Sequence, residues 1–137
     1  MNAVFADTFY WVALTNKLDA LHEQALTLPR SLASPRIITT EQVVSEYLNF
    51  FAAWGQHFRR KAAANMRALA RPAVTVILHS REIFLAGLAL YEARPDKGYS
   101  LTDCMSMEVM RNEGLTDILT NDKHFEQEGF RVLFRSS

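Results

Sequence analysis

Five short apolar runs constrain the fold of this chain most: Ala3 to Ala6, Arg36 to Thr39, Ala73 to Leu78, Asp117 to Thr120 and Arg131 to Phe134. They are β-branched or aromatic and mostly continuous rather than alternating, so each reads as a strand. A strand that is apolar on both faces must be covered on both faces, as in parallel sheets packed between helices. Helical segments fill the gaps. Thr8 to Leu14 and Asp19 to Leu28 precede Pro29, and Thr40 caps a helix over Glu41 to Ala53. Gly55 breaks the pattern before Gln56 to Ala70. Ser80 opens a helix to Ala93, and Ser100 or Thr102 opens one that ends at Gly114. The expected fold is α/β, with a central, mostly parallel five-stranded sheet flanked by helices. With 137 residues and no linker or repeat, one domain over residues 1–137 is expected.

Much familiar chemistry is excluded locally. The glycines at 55, 87, 98, 114 and 129 are far apart, so there is neither a G-x-G-x-x-G nor a P-loop. The histidines at 22, 57, 79 and 124 form no i,i+4 pair, and no G-x-S-x-G elbow occurs. The single cysteine, Cys104, permits neither an internal disulfide nor a Cys-based zinc site. The first residues lack a signal peptide's basic start, and the apolar stretch from Ile83 to Tyr91 is about half a membrane span. A cytoplasmic protein with no membrane partner is expected.

The acids are more informative. Ligands of an open α/β sheet bind at the carboxyl ends of its strands. Asp7 directly follows the first strand, and Asp122 follows the fourth in Leu119-Thr120-Asn121-Asp122. In a parallel sheet both lie at one edge. Asp103, in the first turn of a helix, and Glu46, in the second turn of another, can approach that edge. Near 5 Å and an effective dielectric near 20, each carboxylate pair repels by roughly 3 kcal/mol. Such a cluster calls for raised pKa values or a hard cation, and all-oxygen donors favour Mg²⁺ or Mn²⁺ over zinc. Each acid also has a plainer role: Asp7 as a helix cap, Asp122 in an Asx turn, Asp103 in a capping box with Ser100, Glu46 as a solvated helical residue.

The blocks carrying these acids resemble the PIN-domain ribonucleases of VapC toxin type. The similarity runs through Val4-Phe5-Ala6-Asp7-Thr8-Phe9-Tyr10-Trp11 and Ile38-Thr39-Thr40-Glu41-Gln42-Val43-Val44-Ser45-Glu46. It continues in Tyr99-Ser100-Leu101-Thr102-Asp103-Cys104-Met105-Ser106, in the run from Gly114 to Phe125, and in Glu128-Gly129-Phe130. From Phe51 to Arg94 only the helix pattern matches. The resemblance implies an acidic site of Asp7, Glu46, Asp103 and Asp122 holding Mg²⁺ or Mn²⁺, with Thr120 bracing it and Glu46 as outer ligand or water-orienting base. It implies an endoribonuclease whose metal-activated water attacks RNA phosphodiesters, leaving a 5′-phosphate and a 3′-hydroxyl. It further implies a toxin restrained by a cognate antitoxin, and a homodimer. Glu41 competes with Glu46, but five residues is about 500° of helix, so they cannot share a face; the family spacing favours Glu46. Asp117 falls at a usually apolar position and is set aside.

Charge is distributed unevenly. Fifteen Lys and Arg match fifteen Asp and Glu, yet no acid lies between Glu46 and Glu82, where Arg59, Arg60, Lys61, Arg67, Arg71 and Arg81 all fall. That segment is formally +6 and the remainder, nine bases against fifteen acids, −6. Arg60, Arg67 and Arg71 recur at helical spacing and, with Arg59 and Lys61, form a candidate face for guiding an RNA backbone; a solvated helix surface is the alternative. Phe50, Phe51, Trp54 and Phe58 read first as helix-hairpin packing, and on the resemblance also as a dimer or antitoxin surface. Cys104 reads as a buried hydrophobe rather than a nucleophile, and His124 as an incidental turn residue, with lining a phosphate site as its alternative. The same residues also admit a free-standing RNA-processing nuclease, or a non-catalytic RNA- or protein-binding module on the same fold.

Overall fold

The structure, a computed structural model, describes residues 2–33 and 35–135. Its elements in chain order are β1 (Ala3–Ala6), α1 (Thr8–Thr15), α2 (His22–Ser31), β2 (Arg36–Thr40), α3 (Glu41–Phe50) and α4 (Gln56–Arg67). They continue with β3 (Val74–Ile77), α5 (Arg81–Ala93), α6 (Leu101–Asn112), β4 (Asp117–Leu119), α7 (Lys123–Gln127) and β5 (Arg131–Val132). The strands form one five-stranded sheet in the order β3-β2-β1-β4-β5, and every pairing is parallel. The expected α/β architecture is therefore present, with all strands parallel.

This order follows from what each strand can bury. Central β1 and its neighbour β4 carry Phe5, Ala6, Ile118 and Leu119, all fully buried. Edge strand β3 is only partly covered beyond Val74, which an edge tolerates because one flank has no partner. The chain builds β1, β2 and β3 outward on one side, then returns through α5 and α6 to place β4 on the other side of β1. The reversal makes the β1–β4 boundary a topological switch point, where a crevice opens at the strands' carboxyl ends.

Helix starts follow their caps. The Thr40 hydroxyl accepts from Val43 N and the Ser80 hydroxyl from Ile83 N, both at 3.1 Å. Ser100, rather than Thr102, caps α6. Several expectations need correction: α3 ends at Phe50 rather than Ala53, and α2 begins at His22 rather than Asp19. α2 does not stop before Pro29 but continues to Ser31; the proline removes one bond in an exposed last turn, which a helix end tolerates. α4 ends at Arg67, with Ala68 as its cap, so Arg71 lies beyond the helix and does not continue the face of Arg60 and Arg67. A short helix, α7, occupies the segment read only as an Asx turn, with Asp122 capping it. Among the described residues no helix is long and apolar enough to cross a membrane.

Candidate active site

Asp7 directly follows β1, and its amide donates to Leu119 O of β4 at 3.4 Å, so the first acid sits on the seam between the two strands. It occupies the cap position of α1, yet its carboxylate makes no capping bond. Thr120 Oγ1 instead donates to Asp7 Oδ2 at 3.0 Å and accepts from Asp122 N at 3.2 Å. One buried hydroxyl thus ties the acids that follow the two central strands. Asp7 is only 2% exposed. Burial, then the charge of Asp103, pushes its pKa up to about 7.

The other acids arrive from helices. Asp103 and Ser100 form a reciprocal capping box at the start of α6, with Asp103 N donating to Ser100 Oγ at 3.0 Å and Ser100 N to Asp103 Oδ2 at 3.3 Å. Asp103 nevertheless faces the switch point, where burial and then the charge of Asp122 raise its pKa. A cap and a candidate site residue are here the same side chain. Glu46 reaches in from the second turn of α3 and accepts a hydrogen bond from Thr8 Oγ1. Glu41, its competitor, accepts from His79 N at 2.7 Å and so pins the segment before α5. Asp117 pairs with Arg131 through bonds of 2.8 and 3.0 Å at the opposite end of β4.

Glu46, Asp103 and Asp122 line one open cleft of about 530 Å³, with Thr8, Phe9, Phe50 and His124 also in its wall. Asp7 lies beneath it, close enough for Asp103 and Glu46 to raise its pKa. Among the described residues no lysine or arginine pairs with any of these four acids. Carboxylate oxygens of Asp103 and Asp122 and a ring nitrogen of His124 lie within 4.8 Å of one another. His124 Nδ1 is buried without a hydrogen-bond partner and stands 3.5 Å from Asp103 Oδ2 and 3.4 Å from Asp122 Oδ1. Hard oxygen donors, unneutralised by side-chain cations, fit a divalent ion.

Sequence reasoning set His124 aside and passed over Thr8. Its signal for Thr8 was the Asp-Thr pair after the first strand; for His124 a phosphate-site role competes with the turn position, which the sequence favours. The five predicted RNA-contacting cations do not converge on the cleft. Arg59, Arg60 and Arg67 are exposed on α4, and Arg59 donates to Ala52 O at 2.8 Å. Lys61 and Arg71 line a separate groove of about 270 Å³ with Trp11, Thr15 and Asn65. Cys104 is fully buried, and burial pushes its thiol up to about 11, as suits an inert core residue.

Three comparisons with known proteins bear on this arrangement. The PIN domain family model matches residues 4–130. The 23S rRNA-specific endonuclease VapC20, in two strains of Mycobacterium tuberculosis, is 28% identical over 131 residues, covering 93% of this chain and 95% of the relative. The crystal structure of Mycobacterium tuberculosis VapC20, described as a Sarcin-Ricin loop cleaving toxin, superposes with a TM-score of 0.84 at 25% identity. It covers 95% of this chain and 98% of the other.

Proposed function

Because the chain belongs to the PIN-domain family, we propose that it is a divalent-metal-dependent endoribonuclease of VapC type, the toxin of a toxin–antitoxin pair. The observation that carries the reading is the group of four carboxylates at the β1–β4 switch point, one of them buried and none paired with a lysine or arginine among the described residues. In this reading Asp7, Asp103 and Asp122 hold the ion, Mg²⁺ or Mn²⁺, and Glu46 is an outer ligand or orients the attacking water. Thr120 fixes Asp7 relative to Asp122, and Thr8 fixes Glu46. A cation of this kind supplies charge neutralisation at the phosphoryl oxygens and a lowered pKa for a coordinated water. Hydrolysis breaks the P–O3′ bond, leaving a 5′-phosphate and a 3′-hydroxyl.

The wider reading is a single domain over residues 1–137 acting in the cytoplasm as a homodimer, with Arg59, Arg60, Lys61, Arg67 and Arg71 as RNA contacts. An antitoxin segment presenting arginine or lysine to the carboxylates would match their charge. The VapC20 relatives make 23S rRNA, and its sarcin–ricin loop in particular, the first RNA to test. The purified chain, given 23S rRNA with Mg²⁺, Mn²⁺ or EDTA, is expected to cleave with either cation and not with EDTA. End mapping should give 5′-phosphates, and Asp7→Asn should abolish the product. Equal cleavage by Asp7→Asn overturns the site; no cleavage of any RNA with either cation overturns the enzyme.

A further inference from the structure

Phe9, Phe50 and Trp54 are large aromatic residues that the fold leaves 44%, 38% and 42% exposed, although Phe51 beside them is fully buried. Their rings run in a row: Phe9 to Phe50 at 6.4 Å between centroids, and Phe50 to Trp54 at 5.3 Å. The row starts inside the carboxylate cleft, because Phe9 and Phe50 line it together with Glu46 and Asp103. It ends on the turn after α3, where the Arg59 guanidinium donates to Ala52 O at 2.8 Å. Rings from the core would ordinarily be covered, and half-exposed neighbours in a row form a contiguous apolar patch. A strip with acids at one end and an arginine at the other matches a single strand, whose bases stack on rings while its phosphates meet guanidinium groups. A base-paired helix offers no such faces, since its bases already stack on each other.

We infer that Phe9, Phe50 and Trp54 form a stacking ledge for nucleobases flanking the scissile phosphate. The inference rests on the nuclease reading for the word scissile, but the ledge can be tested by binding alone. Trp11 is 4% exposed, so changes in tryptophan emission on adding RNA report on Trp54. The probe is a short oligoribonucleotide and its abasic counterpart of equal length and charge, added to Asp7→Asn protein with Mg²⁺ so that neither is cut. The base-bearing strand is expected to quench Trp54 and to bind about tenfold or more tighter than the abasic strand. In otherwise wild-type protein, Phe50→Leu should raise KM for RNA about tenfold with little change in kcat, and Phe50→Tyr should restore it.

Equal binding of the two strands, or an unchanged KM in Phe50→Leu, overturns the ledge. So does a Phe50→Leu protein that sediments as a smaller species while binding RNA normally, which would assign the patch to a second copy of the chain. Base-dependent quenching without cleavage by the wild type would keep the ledge and remove the nuclease reading. Cleavage without base dependence would do the reverse.

Discussion

A carboxyl taken out of water and placed beside other carboxyls holds its proton to higher pH, and Asp7 is in that position. Its folded pKa of about 7 compares with an ordinary value of 3.8. Between about pH 4 and pH 7 the folded chain therefore binds a proton that the unfolded chain has released. Stability of the metal-free protein falls as pH rises through that window and levels off above it. The loss is on the order of 4 kcal/mol, because a pKa difference of one corresponds to about 1.4 kcal/mol. Asp7→Asn removes the dependence. At pH 8 without metal, its melting temperature should exceed the wild type's by roughly 5–10 °C, while RNA cleavage falls more than about 100-fold. Thermal melts across pH in EDTA check the first half; an unchanged or lower melting temperature at pH 8 counts against the raised pKa of Asp7. A saturating divalent cation should stabilise the wild type by about 2–3 kcal/mol at a hundredfold excess over Kd, and Asp7→Asn far less.

Two contacts between elements hold the helices that carry Asp103 and His124. At the first, α5 crosses α6 so closely that a Cβ on Gly87 would collide with Met105 Cγ and lie 3.1 Å from the Met105 backbone N and Cα. Ala favours a helix over Gly by about 1 kcal/mol, but here overpacking wins. Gly87→Ala should destabilise by about 1–3 kcal/mol net, measured by urea unfolding. At the second, Glu128 after α7 accepts from Arg94 at 2.9 Å, Arg111 at 2.8 Å and the Tyr99 hydroxyl at 3.0 Å. Burial alone would raise this carboxyl, and the three donors outweigh it and hold it at about 2. Its stabilisation is fully present above about pH 4.5 and is lost as pH falls toward 2. Glu128→Gln should cost about 2–3 kcal/mol at pH 7 and flatten the acid limb of the stability curve. Tyr99 immediately precedes the Ser100 cap, so the same change should loosen Asp103.

The elements differ in how far their residues announced them. The central strands were readable because burial on both faces leaves an uninterrupted apolar run. α7 was not: five residues give no helical period, and Asp122 caps a helix as plausibly as it closes a turn. Asp7 and Asp122 were legible as strand-end acids. The approach of Asp103 and Glu46 needed the family resemblance as well, since helix phase alone does not say which way a neighbouring helix leans. The Thr8 to Glu46 bond and the orphaned His124 Nδ1 are tertiary facts with no local signature. Periodicity also could not distinguish Phe51, which is buried, from Phe50 and Trp54, which are half-exposed.

At the scale of the whole molecule, charge neutrality conceals two opposed regions. The segment between Glu46 and Glu82 is formally +6 and the rest −6. The structure divides the positive region further. Arg59, Arg60 and Arg67 are exposed on α4, whereas Lys61 bonds Thr15 O at 3.2 Å and Arg71 lines the same groove by α1. Arg71 is exposed as well, so what sets the first three apart is that they are exposed together on one helix. Each phosphate contact to a single strand contributes about −0.7 to the slope of log affinity against log salt, through counterion release. Replacing Arg59, Arg60 and Arg67 with glutamine should therefore make that slope shallower by about 2, raise KM for RNA and leave kcat nearly unchanged. The opposite pattern, an unchanged slope with lowered kcat, would place the strand's path elsewhere on the protein. Replacing Lys61 and Arg71 with glutamine should make the slope shallower by about 1.4, two contacts at about 0.7 each, and an unchanged slope removes both from the RNA contacts. Comparing the two sets at several salt concentrations separates an RNA track from charge that merely balances the acids.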